Sequence, residues 1–347
     1  MVKSASNLFW SRRQVLRFLA TTAGVISLNS CRSGNEAENT SSQDKKLTSM
    51  TIGSSIWIGF TPLFIAQEKG FFQDLGIDVT YKIFGTNTQA MAAVLAGQMD
   101  GFASSSSEVV IGATKSQDHS IVLIQDNSIG GDGILARNRI KSIADFKGEK
   151  VAVQKGNVSH FFLLQVLQEA GLTEKDIIQI NAEPAEAAAA YLAGNADIAV
   201  TYAPFIGRAN KAQPDGRIIY DSSQMPTAII DFYQFSNKLI EENPAAVQAF
   251  VNGIFMGLKF LEQNREEGLA IAAKRLEVTP EQLASDLAGV NMPDAKTNIE
   301  MLANPNSELY VLNPLKSMAE FLLEQKEIEK IPDLESLLEP KFVKAAL

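Results

Sequence analysis

Apolar and polar positions alternate through residues 50–57, where Ile52, Ile56 and Trp57 carry the apolar side, and the spacing predicts a first β-strand. A loop follows, with Thr61 as the expected N-cap and Pro62 at the first helical position, and Leu63, Ile65 and Ala66 carry a helix to Lys69 and Gly70. Residues 77–84 read as a second strand, 85–88 as a loop and cap, 89–96 as a second helix and 100–103 as a third strand. This β-α-β-α-β order predicts a parallel sheet with right-handed crossovers. The order then returns: strand 150–154, loop 156–159, helix 160–170 ended by Gly171, strand 177–181, a helix opened by Glu183 and Pro184, and strand 197–201. The pattern Leu-Ala-Gly-x-x-Asp occurs in both sets, at Leu95 to Asp100 and at Leu192 to Asp197, about 97 residues apart and roughly one α/β lobe. Each glycine falls where a helix end needs a left-handed residue.

Two further strand-like runs, 121–137 and 217–235, flank the second set, as expected if the chain crosses between two lobes twice. From Pro244 onward Val247, Phe250, Val251, Ile254, Phe255, Leu258 and Leu261 recur at three- and four-residue steps, a helical pattern. The expected organisation is lobe one over 50–130, lobe two over 131–222, and a return crossover with helices packing on lobe one over 223–347. Residues 1–31 read as an export signal: Arg12 and Arg13 precede an apolar run, 18–28, too short to anchor stably across a bilayer. Cys31, the only cysteine, follows Leu28, Asn29 and Ser30 as in a bacterial lipobox, so its lipidation and attachment to the membrane are expected. Residues 32–49 are polar enough for a solvated tether.

Composition narrows the function. The chain has 347 residues, 46% hydrophobic and 20% charged, enough for two cores. A net charge of −9 without clustered Lys and Arg argues against a nucleic-acid surface. With one cysteine, two histidines (His119 and His160) and no His-x-x-x-His spacing, neither a metal site nor a cofactor is expected. Gly-x-Ser-x-Gly and Walker sequences are missing, so ester hydrolysis and ATP binding are not expected either.

Three stretches in order carry a family likeness: residues 57–72 with Ala66, Lys69, Gly70, Phe71 and Phe72; the repeated Leu-Ala-Gly-x-x-Asp; and residues 143–153, Ile-Ala-Asp-Phe-Lys-Gly-Glu-Lys-Val-Ala-Val. Together they resemble the nitrate-, sulfonate-, taurine- and thiamine-precursor-binding proteins of ABC importers. The resemblance implies an α/β, type II periplasmic-binding-protein fold, two Rossmann-like lobes with a hinge. Such a monomer closes on one small solute and hands it to a membrane permease driven by an ATPase. Where many similar members have Trp-Asp-Pro or Trp-Glu-Pro, this chain has Tyr202-Ala203-Pro204, and residues 123–134 look like a branch linked to guanidine or urea-type nitrogen compounds.

In open α/β sheets ligands bind beyond the carboxyl ends of the strands, and the candidate site residues follow from that rule. Trp57 and Tyr202 would offer aromatic faces from opposite lobes. Asp126, Asp132, Glu183 and Asp231 lie at expected strand ends or crossovers where basic residues are scarce, Arg137, Arg139 and Lys155 being the nearest, so a cationic solute is favoured. Thr61, Thr86, Ser104 and Ser159 offer hydroxyls and helix-start N–H groups that suit anionic oxygens instead. The expected solute is a guanidinium, amidine-like or amine compound. The alternative is an anion such as an aliphatic sulfonate, taurine or nitrate. An enzyme resembling thiamine-pyrimidine synthases, or a sensor domain that signals on closing, are the competing classes.

Overall fold

A computed structural model describes residues 47–85 and 87–346. The expected signal and its arginine pair, Cys31, most of the tether, and Thr86 lie outside the described residues. Eleven strands are described: β1 Thr48–Ser54, β2 Ile77–Ile83, β3 Gly101–Ser105, β4 His119–Ser128, β5 Asp132–Arg137, β6 Lys150–Val153, β7 Ile178–Asn181, β8 Ile198–Tyr202, β9 Gly216–Asp221, β10 Ile230–Ser236 and β11 Val290–Asn291. They form two sheets, one ordered β11-β4-β10-β3-β1-β2 and the other β7-β6-β8-β5-β9.

The duplicated pattern is visible in the pairing. β1 lies between β2 and β3, and β6 lies between β7 and β8, all parallel. Gly97 and Gly194 both take left-handed backbone, with φ of 71° and 77°, behind the helices Asn87–Leu95 and Pro184–Ala193. Asp100 then pins its strand by accepting a bond from the Thr51 N–H at 2.7 Å. The expected parallel sheet covers only these strands. β10 inserts antiparallel between β3 and β4, and β5 inserts antiparallel between β8 and β9, so both sheets are mixed. The reason is directional, because a strand arriving from the other lobe enters at the edge where the parallel strands end.

That arrangement brings the amino ends of β5 and β10 to the carboxyl ends of β1, β3 and β8. The chain passes between sheets after β4 and again before β10, and the two passages are tied together. The Ser128 and Ser222 hydroxyls lie 2.7 Å apart, the Gly130 N–H donates to Ser222 Oγ at 2.7 Å, and the Ile129 and Gly131 N–H groups both donate to the Gly289 carbonyl. A Cβ on Gly289 would stand 2.7 Å from the Gly130 carbonyl carbon, so only glycine admits this approach.

The helix Pro244–Gln263 buries Val247, Phe250, Val251, Ile254, Leu258 and Leu261 and packs on the helix Thr61–Glu68 beside the first sheet. It is the one described helix long and apolar enough to cross a membrane, and half of its apolar window is buried within the fold. Ala295–Ala303 and Lys341–Lys344 cover β4, and Leu312–Glu324 packs on a helix absent from the expected list, Ser106–Lys115. Apolar packing around the first sheet continues through Trp57, Tyr202 and Ile206 onto the near face of the second. The second sheet's far face has its own cluster around Phe146, Phe162, Val166 and Leu167.

Candidate functional site

Where the parallel strands of both sheets end, a pocket of about 330 Å³ lies between the lobes, lined by Ser54, Ser55, Trp57, Phe60, Ser105, Asp132, Val158, Tyr202, Ile229 and Asp231. In both sheets the central parallel strand is flanked by its successors on opposite sides, a topological switch point, and the pocket faces both such points.

Each wall has a local cause. Trp57 is extended, and the single 3-10 turn Ile58–Phe60 behind it folds back so that the indole Nε1 donates to Asp126 Oδ2 at 3.0 Å. A Cβ on Gly59 would collide with both of those atoms, so the turn must pass this point without a side chain. Tyr202 ends β8 and meets Trp57 edge to face, with ring centroids 5.8 Å apart. Asp132 opens β5 directly opposite Tyr202, and its N–H donates to Ser128 Oγ at 3.1 Å. Asp231, near the start of β10, sits between Ser105 on β3 and Asp126 on β4. Below Ser105 the helix Ser106–Lys115 is closed by a capping box: Glu108 accepts from the Ser105 N–H at 2.8 Å and from its hydroxyl.

The pocket therefore holds an excess of carboxyl groups. Asp126 is fully buried, Asp132 is 3% exposed and Asp231 is 9% exposed. Burial pushes Asp126 up to about 7 against the opposing hydrogen bond from Trp57, and repulsion from Asp132 adds to the rise. Burial likewise raises Asp132 to about 7, with Ser128 opposing and Glu108 adding. Asp231 is raised further, first by burial and then by Asp126, Asp132 and Glu108. Burial also lifts the Tyr81, Tyr202 and Tyr233 phenols, which stay protonated.

Of the expected site residues, Trp57, Asp132, Tyr202 and Asp231 line this pocket, and Asp126 supports it from behind. Thr61 is not the N-cap expected of it. It is the first residue of its helix, and its hydroxyl donates to the Ile58 carbonyl at 2.7 Å, bracing the turn outside the pocket. Ser104 faces the other side of β3 and accepts from Gln234 Nε2 at 2.9 Å, while its neighbour Ser105 reaches the pocket. Ser159 is buried beside the lining residue Val158, and its hydroxyl makes no hydrogen bond. Glu183 caps its helix at a depression of about 610 Å³ outside the pocket, which shares Tyr202 with it and is bordered by Gly85 and Phe205. Arg137 donates to the Tyr191 carbonyl, and Arg139 pairs with Glu149 and Asp197, all away from the pocket. His160 ties the loop before its helix by accepting from the Gly156 N–H and contacting Glu174. Among the described residues no group of three or more potential metal ligands occurs.

Sequence reasoning missed Ser54, Ser55, Phe60, Val158, Ile229 and Glu108. The first two end β1 and were open to the strand-end rule. Glu108 was open to the Ser-x-x-Glu capping signal, whereas Ile229 had no local mark.

Two α/β lobes joined by paired passages, with a pocket between their strand ends, define the architecture of the periplasmic binding proteins. Residues 57–268 match the NMT1/THI5-like family, and the chain belongs to that family. A protein of Brucella abortus (strain 2308), designated only as a binding protein, is 27% identical over 231 residues, 64% of this chain and 69% of its own. The taurine-binding periplasmic protein of Escherichia coli (strain K12) is 24% identical over 195 residues, covering 54% of this chain and 59% of that one. Among solved structures, the periplasmic aliphatic sulphonate binding protein SsuA from Escherichia coli superposes with a TM-score of 0.68 at 23% identity, over 84% of this chain and 97% of that one. That likeness establishes the type II periplasmic-binding architecture.

Proposed function

We propose that this protein is the extracytoplasmic solute-binding component of an ABC importer, capturing one small solute between its lobes and presenting it to a permease and ATPase. The observation that carries this is the pocket to which both lobes contribute, Trp57, Ser105 and Asp231 from the first sheet's side and Asp132 and Tyr202 from the second's. The relatives named above are binding proteins, which supports binding rather than turnover. Trp57, Asp132, Tyr202 and Asp231 are the proposed contacts, with Asp126 as support for Trp57.

The names borne by the relatives bear on the solute. They refer to taurine and aliphatic sulfonates, which favours the anionic alternative; nothing in them supports the guanidinium or amidine expectation. A sulfonate of the taurine type is accordingly the leading solute class on family grounds. The arginine pair and Cys31 support export and acylation, with the body held at the outer face of the membrane. Uptake of labelled taurine and of other small solutes into cells lacking this chain tests the reading. Loss of uptake of one solute, restored by the intact chain, is expected; undiminished uptake of every solute that the purified chain binds would overturn it.

A further inference from the structure

Among the described residues no basic group is paired with the pocket's carboxyls. Asp132 and Asp231 line the pocket and Asp126 lies behind Trp57, on three different strands. The ion pairs found involve Lys69, Arg139, Lys147, Lys155, His160 and Lys341. Asp126 Oδ1 is buried and receives no hydrogen bond from a protein donor. The edge-to-face pair of Trp57 and Tyr202 lines the same pocket as Asp132 and Asp231. Gathering several buried carboxyls with no cation paired to them costs free energy when they ionise, and aromatic rings in the lining of the same pocket attract cations, so both features favour a positively charged complement.

We infer that the solute held between the lobes carries a positively charged nitrogen head, an ammonium, amidinium or guanidinium, seated against Asp132 and Asp231 and flanked by Trp57 and Tyr202. This rests on the receptor reading above and deepens it by naming the group recognised. An aminoalkanesulfonate such as taurine satisfies both the head and the family's sulfonate preference. A sulfonate without the nitrogen would place like charges together at close range. Sources of the head differ, and the assay separates them: guanidinium and acetamidinium test a planar head, ethylammonium a tetrahedral one, taurine a head joined to a sulfonate.

The test is titration calorimetry on the purified exported chain, at about pH 8, above the value near 7 to which Asp132 is raised, with those four compounds and with ethanesulfonate and nitrate as controls lacking the head. At least one compound bearing the head is expected to bind, and ethanesulfonate and nitrate are expected not to. Asp132→Asn and Asp231→Asn should each weaken that binding about tenfold or more with the unliganded chain still unfolding cooperatively. Should either variant fail to fold, the compound panel on the wild-type chain decides alone. Binding of ethanesulfonate or nitrate as tightly as the nitrogen-bearing compounds would overturn this inference and leave the receptor reading standing. Binding of none of the six would overturn both.

Discussion

Asp126, Asp132 and Asp231 stand where ionised carboxyls are expensive, and this makes the pocket measurable without any ligand. Because burial lifts Asp132 to about 7, the folded chain keeps a proton that the unfolded chain releases near pH 4. The group's contribution to stability is therefore full in acid, falls as pH rises through about 4 to 7, and stays low above. The rise corresponds to an upper bound of about 4 kcal/mol. Asp132→Asn should raise the unfolding midpoint of the unliganded protein at about pH 8 and change it little at about pH 4, read by calorimetry against wild type. The groups facing Asp132 are Glu108 from the helix Ser106–Lys115, Asp126 and Asp231 from β4 and β10, and the phenol of Tyr202. A midpoint at pH 8 unchanged or lowered in the variant would show that Asp132 is not held ionised at a cost. At this scale the sequence was informative about strand ends and uninformative about parity. The strand-end rule found Trp57, Tyr202, Asp132 and Asp231, but it chose Ser104 over Ser105, because side chains alternate across a strand and one residue of register reverses the face.

Between residues and lobes the working element is the 3-10 turn Ile58–Phe60. It positions Trp57 only because Gly59 leaves room for the indole to reach Asp126. Gly59→Ala should abolish solute binding and cost about 1–3 kcal/mol of stability through the lost buried hydrogen bond; retained affinity in a folded variant would mean that the turn does not set the indole. A second element-level device is Asn298, fully buried on the helix Ala295–Ala303. It accepts from the Ile124 N–H at 2.8 Å and donates to the Ile124 and Pro293 carbonyls, completing a β4 segment that β10 leaves irregular. Asn298→Ala should lower stability by about 1–3 kcal/mol, read from denaturant midpoints, with solute affinity changed little because the residue is not part of the pocket lining. The repeated β-α-β pattern was legible because hydrophobic period, caps and left-handed glycines are local. The helix Ser106–Lys115 was passed over although Ser105 and Glu108 carried its capping signal, and the antiparallel strands were read as crossings without their partners.

For the whole molecule, the two passages, tied to each other at Ser128 and Ser222 and held by the Gly289 carbonyl, are the proposed hinge on which the lobes would move about a bound solute. A solute touching both lobes should shift the population toward the closed form, seen as a smaller radius of gyration by solution scattering; an identical radius with and without a saturating solute would argue for a pre-closed receptor. Membrane attachment is tested separately: Cys31→Ser should move the protein from the membrane fraction to the soluble extracytoplasmic fraction. The chain's sequence by itself determined the duplicated α/β lobes, the family and the strand ends that line the pocket, since these depend on periodicity and on residues adjacent in the chain. Which carboxyls meet was decided only by the tertiary structure, because Asp126, Asp132 and Asp231 converge through antiparallel strands that cross between lobes. Their shared burial, which sets both their protonation and their demand for a positive partner, has no local signature.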